Sequence, residues 1–70
     1  MEPAMRSVYS TSVNAVGYDE ENAELYVEWH SGRVSIYSGV PLIVFDQVSN
    51  APSVGSAMLE VKKQYKHRYA

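Results

Sequence analysis

Three groups of residues in this 70-residue chain have types and spacing suited to holding an anionic, ring-bearing molecule. Tyr26, His30, Arg33 and Tyr37 form the first, recurring through the middle of the sequence with the alternation of a strand pair. Tyrosines on a sheet stack on nucleobases at about 1–3 kcal/mol per base, and a nearby guanidinium pairs with phosphate. Trp29 stands beside them as a stacking or wall residue. The competing reading is that this face packs against another subunit or the N-terminal segment. The second group is Ser53-Val54-Gly55-Ser56 at a helix start, where free N–H groups, two hydroxyls and a glycine allowing close approach can hold a phosphate. It lacks the lysine and spacing of a P-loop, and a helix cap is the simpler account. The third is Lys62, Lys63, Lys66 and Arg68, four cations among the last ten residues with no acid between them. They could steer an anionic ligand or touch RNA phosphates; the plain alternative is a solvated helix end that suits the dipole.

No comparable set supports catalysis. Ser10, Ser12, Ser53, His30 and His67 are present, but no nucleophile motif surrounds any of the serines. Asp19-Glu20-Glu21-Asn22 lacks the spacing of a calcium loop, and Asp46 and Glu60 read as surface carboxylates. The absence of cysteine excludes disulfides and thiolate zinc sites, and two histidines far apart in sequence are a poor metal pair. The expectation is a non-enzymatic chain with no metal and no cofactor.

The elements that must position these residues follow from periodicity. Residues 1–9 form an N-terminal segment, and residues 10–70 a single domain. A strand is predicted over residues 12–18 and another over 24–30, with Leu25, Val27 and Trp29 on one face and Tyr26, Glu28 and His30 on the other. Ser31-Gly32 fits a two-residue hairpin turn. That register pairs His30 with Arg33, Trp29 with Val34, Glu28 with Ser35 and Val27 with Ile36, so Tyr37 joins the Tyr26 face. A slip of one residue would place apolar side chains on both faces. Val40-Pro41 ends the sheet, and residues 41–50 read as a short helix with Val44, Phe45 and Val48 inward. Ser53 is a plausible N-cap for a last helix over about residues 54–66, striped by Met58, Val61 and Tyr65. The fold class is α+β: a three-stranded antiparallel β-meander followed by two helices packed on one face.

Size and charge bound the partners. A chain of this length buries only about 60% of its unfolded surface, so self-association is the expected extra support, and a homo-oligomer is expected. The formal charge is −2, but the first sixty residues carry two basic against eight acidic side chains, a charge of −6. A long polyanion needs a broad basic surface, which this chain does not offer. No apolar run is long enough to span a membrane, and the first residues lack a signal-peptide core, so a cytoplasmic protein without membrane contact is expected.

The ordered set Ser12, Gly17-Tyr18-Asp19, Leu25, Val27, Trp29, Gly32, Tyr37, Val40-Pro41, Phe45, Ala51, Ser53, Gly55 and Tyr65 resembles the KTSC domain family, named for its occurrence at the C-terminus of some lysyl-tRNA synthetases. Two positions depart from the family pattern. Ser35 stands where an aromatic is usual, which thins the tyrosine face. Ala57-Met58 replaces a bulky aromatic pair, with the spacing to Tyr65 one residue short. The resemblance implies a non-enzymatic domain with a suggested role in nucleic-acid interaction, here as a free-standing bacterial or phage protein.

The function expected is therefore a module binding a small nucleotide-type ligand. Tyr26, Trp29 and Tyr37 would stack or form walls; Arg33 with Lys62, Lys63 or Arg68 would neutralise phosphate; Ser53, Gly55 and Ser56 would donate hydrogen bonds. By analogy of setting, a phage member could sequester a cyclic nucleotide signal as an anti-defence sponge. The alternatives are an RNA- or tRNA-binding accessory domain and a protein-interaction adaptor with the tyrosine face as its hot spot.

Overall fold

The chain uses two short strands beyond the expected meander. In the computed structural model, which describes residues 3–70, the elements run β1 (Arg6–Ser7), β2 (Val13–Asp19), β3 (Glu24–Trp29), β4 (Val34–Ser38), α1 (Leu42–Ser49), α2 (Val54–Gln64) and β5 (His67–Tyr69). All five strands form one antiparallel sheet in the spatial order β1-β2-β3-β4-β5. The α+β class and the two helices agree with expectation, while the sheet has five strands rather than three. β1 lies within the N-terminal segment. β5 takes up Lys66's neighbours, which were expected to end or follow the last helix.

The register of the β3–β4 hairpin differs by one residue from the predicted one. Glu28 pairs with Val34, Val27 with Ser35, Tyr26 with Ile36 and Leu25 with Tyr37. The cause is the turn. Trp29 N–H donates to Arg33 C=O at 2.8 Å and Gly32 N–H to Trp29 C=O at 2.9 Å, so the loop holds three residues. Gly32 sits at φ 93° while Ser31 stays out of the left-handed region. A two-residue type I′ turn needs positive φ at both central positions; a three-residue loop needs it only at the last, where glycine stands.

The shift moves Tyr37 onto the face covered by the helices. There it joins Val13, Val16, Leu25, Val27, Val40, Val48, Val54, Met58 and Val61 in one core cluster, with Val44, Phe45, Trp29 and Tyr65 packed at its margin. Val13 and Val16 share that face although three residues apart, because β2 slips register between Val13 and Ala15 and Asn14 is the extra residue. The opposite face carries Ala15, Gly17, Tyr26 and Ile36, all buried. The N-terminal segment helps to close it: a Cβ on Gly17 would stand 2.7 Å from Met5 Sδ and 2.8 Å from the Ala4 carbonyl oxygen.

The helices are set by their ends. Pro41 precedes α1 in extended conformation (φ −64°, ψ 150°), and its carbonyl accepts from Val44 N–H at 3.0 Å. Tyr18 anchors this helix start, its hydroxyl donating to Val40 C=O at 2.6 Å and its ring stacking on Phe45 at 5.3 Å. Ser53 caps α2 as expected, accepting from Ser56 N–H. α2 stops at Gln64, short of the predicted residue 66. Tyr65 is extended, and Ser38 N–H donates to Lys66 C=O at 3.0 Å, drawing the chain onto the edge of β4.

Candidate functional site

β3, β4 and β5 carry side chains onto the helix-covered side of the sheet, but α1 packs against β2 and supplies no wall over β4 and β5. An open recess of about 380 Å³ remains there, within the range of small-ligand sites. Its floor is Ser35, 2% exposed, and Tyr37, 1% exposed. Trp29 stands on one side, from the end of β3, and its indole N–H donates to the Ser35 hydroxyl at 2.8 Å. His67 and Tyr69 stand on the other side, because β5 pairs them with Tyr37 and Ser35. The His67 ring lies 5.1 Å from that of Tyr37 and 5.4 Å, edge-on, from that of Tyr69.

Two cations complete the wall. Arg33, immediately before β4, places its guanidinium carbon 4.7 Å from the Tyr69 ring centre. Lys62, in the last turn of α2, places its ammonium 4.6 Å from the Trp29 ring centre. Among the described residues, no carboxylate lines the recess. Burial pushes the Tyr37 phenol above its ordinary value, the Tyr69 phenolate would push it further, and the Ser35 hydroxyl acts in the opposite sense. Tyr37 therefore stays a neutral hydroxyl at neutral pH, able to donate a hydrogen bond.

The predicted site residues divide. Trp29, Arg33, Tyr37 and Lys62 meet in the recess. Tyr26 does not: with Ile36 as its cross-strand partner it is buried on the opposite face, so the proposed tyrosine face of Tyr26, His30, Arg33 and Tyr37 does not form. His30 lies in the hairpin loop, its Nε2 2.8 Å from Ser10 O. Lys63 is exposed and lies 3.9 Å from Glu60. Arg68 points away from the recess and donates to Glu24 at 2.8 Å, a contact that raises its pKa further. At the start of α2, the close approach that Gly55 permits is made by the chain itself: its Cβ would meet Ser12 Oγ at 3.0 Å and Ser10 Oγ at 3.4 Å. Ser53 and Ser56 hydrogen-bond each other at 3.1 Å, so this group serves as a cap.

Sequence reasoning missed Ser35, His67 and Tyr69 as site residues. The alternation of rings in His67-Arg68-Tyr69 was the available signal, but three residues are too few to read as a strand. Ser35 does not thin a tyrosine face; it is the small side chain that leaves the recess open. A second hollow, about 250 Å³ between α1 and α2, has Glu60 on its wall and no cation, and suits an anion poorly. Among the described residues, no acidic, histidine or cysteine cluster is placed to hold a metal, and no helix is long and apolar enough to cross a membrane.

Comparison with known proteins agrees over the whole fold. A solved KTSC domain protein from Yersinia pestis superposes with a TM-score of 0.89, covering 99% of each chain at 25% identity. A protein of Stutzerimonas stutzeri (strain A1501), described as an uncharacterized protein, is 35% identical over 63 residues, 90% of this chain and 89% of its own length. The KTSC domain model matches residues 9–69, from the loop that packs on α2 to the last strand of the sheet, and the chain belongs to the KTSC domain family.

Proposed function

We propose that this chain is a non-enzymatic binding module whose recess over β4 and β5 takes a small nucleotide-type ligand. One observation carries the reading: aromatic rings and two cations converge on a recess of about 380 Å³ that, among the described residues, no carboxylate lines. Rings suit a base, cations suit phosphate, and the hydroxyls of Ser35 and Tyr37 can hydrogen-bond a polar edge. A compact ligand fits better than a long nucleic acid. The basic end of the sequence is not a continuous track, since Arg68 is paired with Glu24 on the other face and Lys63 lies near Glu60.

A thermal-shift screen of mono-, di- and cyclic nucleotides beside short RNA tests this. A nucleotide should raise the melting temperature, with an affinity that depends only shallowly on salt. A steep salt slope with RNA alone would favour an RNA-binding domain. No shift with any nucleotide or RNA would sink the reading.

A further inference from the structure

The two cations of the recess rest on the rings that a base would use. Lys62 lies over Trp29 and Arg33 over Tyr69, at 4.6 and 4.7 Å from the ring centres, and all four side chains line the same recess. Among the described residues neither cation has a carboxylate within ion-pair distance. The attractive partner that each does have is the negative face of its ring. Of the other cations at the chain's basic end, Lys63 and Arg68 lie near acids instead.

We propose that ligand binding here is an exchange, in which a base takes the ring surface only as a phosphate takes the cation that covered it. The inference rests on the nucleotide reading and adds a selection rule to it. A nucleoside offers a ring but no anion, so it must strip Lys62 or Arg33 from its aromatic partner without replacing that contact. Inorganic phosphate can draw the cation away but leaves the ring bare. A nucleotide satisfies both groups at once, because phosphate is the stronger partner for ammonium and guanidinium. Lys62 and Arg33 thus decide specificity twice, by attracting phosphate and by excluding uncharged rings. Both side chains are exposed, so their removal does not threaten the core.

Calorimetric titration of adenosine 5′-monophosphate and adenosine into the unaltered protein and into a Lys62→Ala, Arg33→Ala double variant tests the exchange. The unaltered protein should favour the monophosphate by roughly tenfold or more, as expected for charge-assisted contacts. In the double variant the monophosphate should weaken while adenosine binds about threefold tighter, the ring faces being free of their cation–π partners. Trp29 is the chain's one tryptophan, so its emission reports the departure of Lys62 directly. If the monophosphate binds but adenosine is unchanged or weaker in the variant, the exchange is wrong and nucleotide binding stands. If neither compound binds the unaltered protein and the wider nucleotide screen is also blank, the functional reading itself falls, and the exchange with it.

Discussion

The Trp29 indole N–H donates to the Ser35 hydroxyl across 2.8 Å, joining the end of β3 to the floor of the recess on β4. Ser35→Ala removes the acceptor and leaves a half-buried donor unpaired, at a cost of about 1 kcal/mol. Urea unfolding followed by tryptophan emission should register that loss. Ser35→Phe puts a ring on the floor of the recess and should occupy it, so the chain stays folded while nucleotide binding disappears. Retained binding in Ser35→Phe would place the ligand elsewhere.

Tyr69 and Tyr26 separate the two faces of the sheet. Tyr69 is 55% exposed on the recess, whereas Tyr26 is 8% exposed on the opposite face. Tyr69→Ala should weaken nucleotide binding by about tenfold, the scale of one stacked base. Tyr26→Phe should leave it within about twofold, since the ring lies on the opposite face of the sheet and does not line the recess. Titration of both variants decides between the recess and the tyrosine face expected from the sequence.

That contrast shows where the fold was legible. α2 could be placed because Ser53 has cap chemistry and Met58 and Val61 repeat at helical spacing. β2, β3 and β4 were visible in their alternation. The hairpin register was not, because Val34-Ser35-Ile36-Tyr37 carries apolar or aromatic side chains on both parities, so either register buries some of them. The turn held the information: a serine is a poor residue for positive φ, and only Gly32 takes it. β1 and β5 are too short for any period to appear, and β5 carries two of the recess walls. Hence Trp29, Arg33, Tyr37 and Lys62 could be singled out as candidates from the sequence, but their common location in the recess could not.

Arg68 and Glu24 hold β5 from the far side of the sheet. Their 2.8 Å contact connects the edge strand to β3, with Ile36 of β4 between. Arg68→Met should raise amide exchange in β5 and reduce nucleotide affinity a few-fold, through loosened positions of His67 and Tyr69. The salt dependence of binding should stay unchanged, because Arg68 meets no ligand. A reduced salt slope would instead make Arg68 a phosphate contact.

Tyr18 and Tyr37 should ionise later than free phenols. Burial raises both phenols, with Glu20 and Asp19 adding to the effect at Tyr18. The native state then keeps protons that the unfolded chain releases near pH 10, the ordinary phenol value. Their contribution to stability is full below that pH and is lost as pH rises through the native values. Absorbance of tyrosinate should show a late phase above about pH 10 that coincides with loss of structure.

Ala23 sits at φ 53° in the β2–β3 turn, left-handed backbone for a residue with a Cβ. Ala23→Gly should stabilise the chain by up to about 1 kcal/mol, net of the greater freedom glycine has when unfolded. Denaturant midpoints compared at equal slope would detect it.

Asn14 gives β2 a change of parity. Before it, Val13 points to the helices; after it, Val16 does so on the opposite count of residues. A strand with one residue added in its middle behaves like two words read in different frames. Insertions and deletions in the preceding loop can be absorbed as slack, but removal of Asn14 alone would force one half of the strand to turn its apolar side chains outward. The lineage of this domain should therefore accept length variation around residues 8–12 far more readily than at position 14, and a comparison of related sequences would reveal gaps in the one place and not the other.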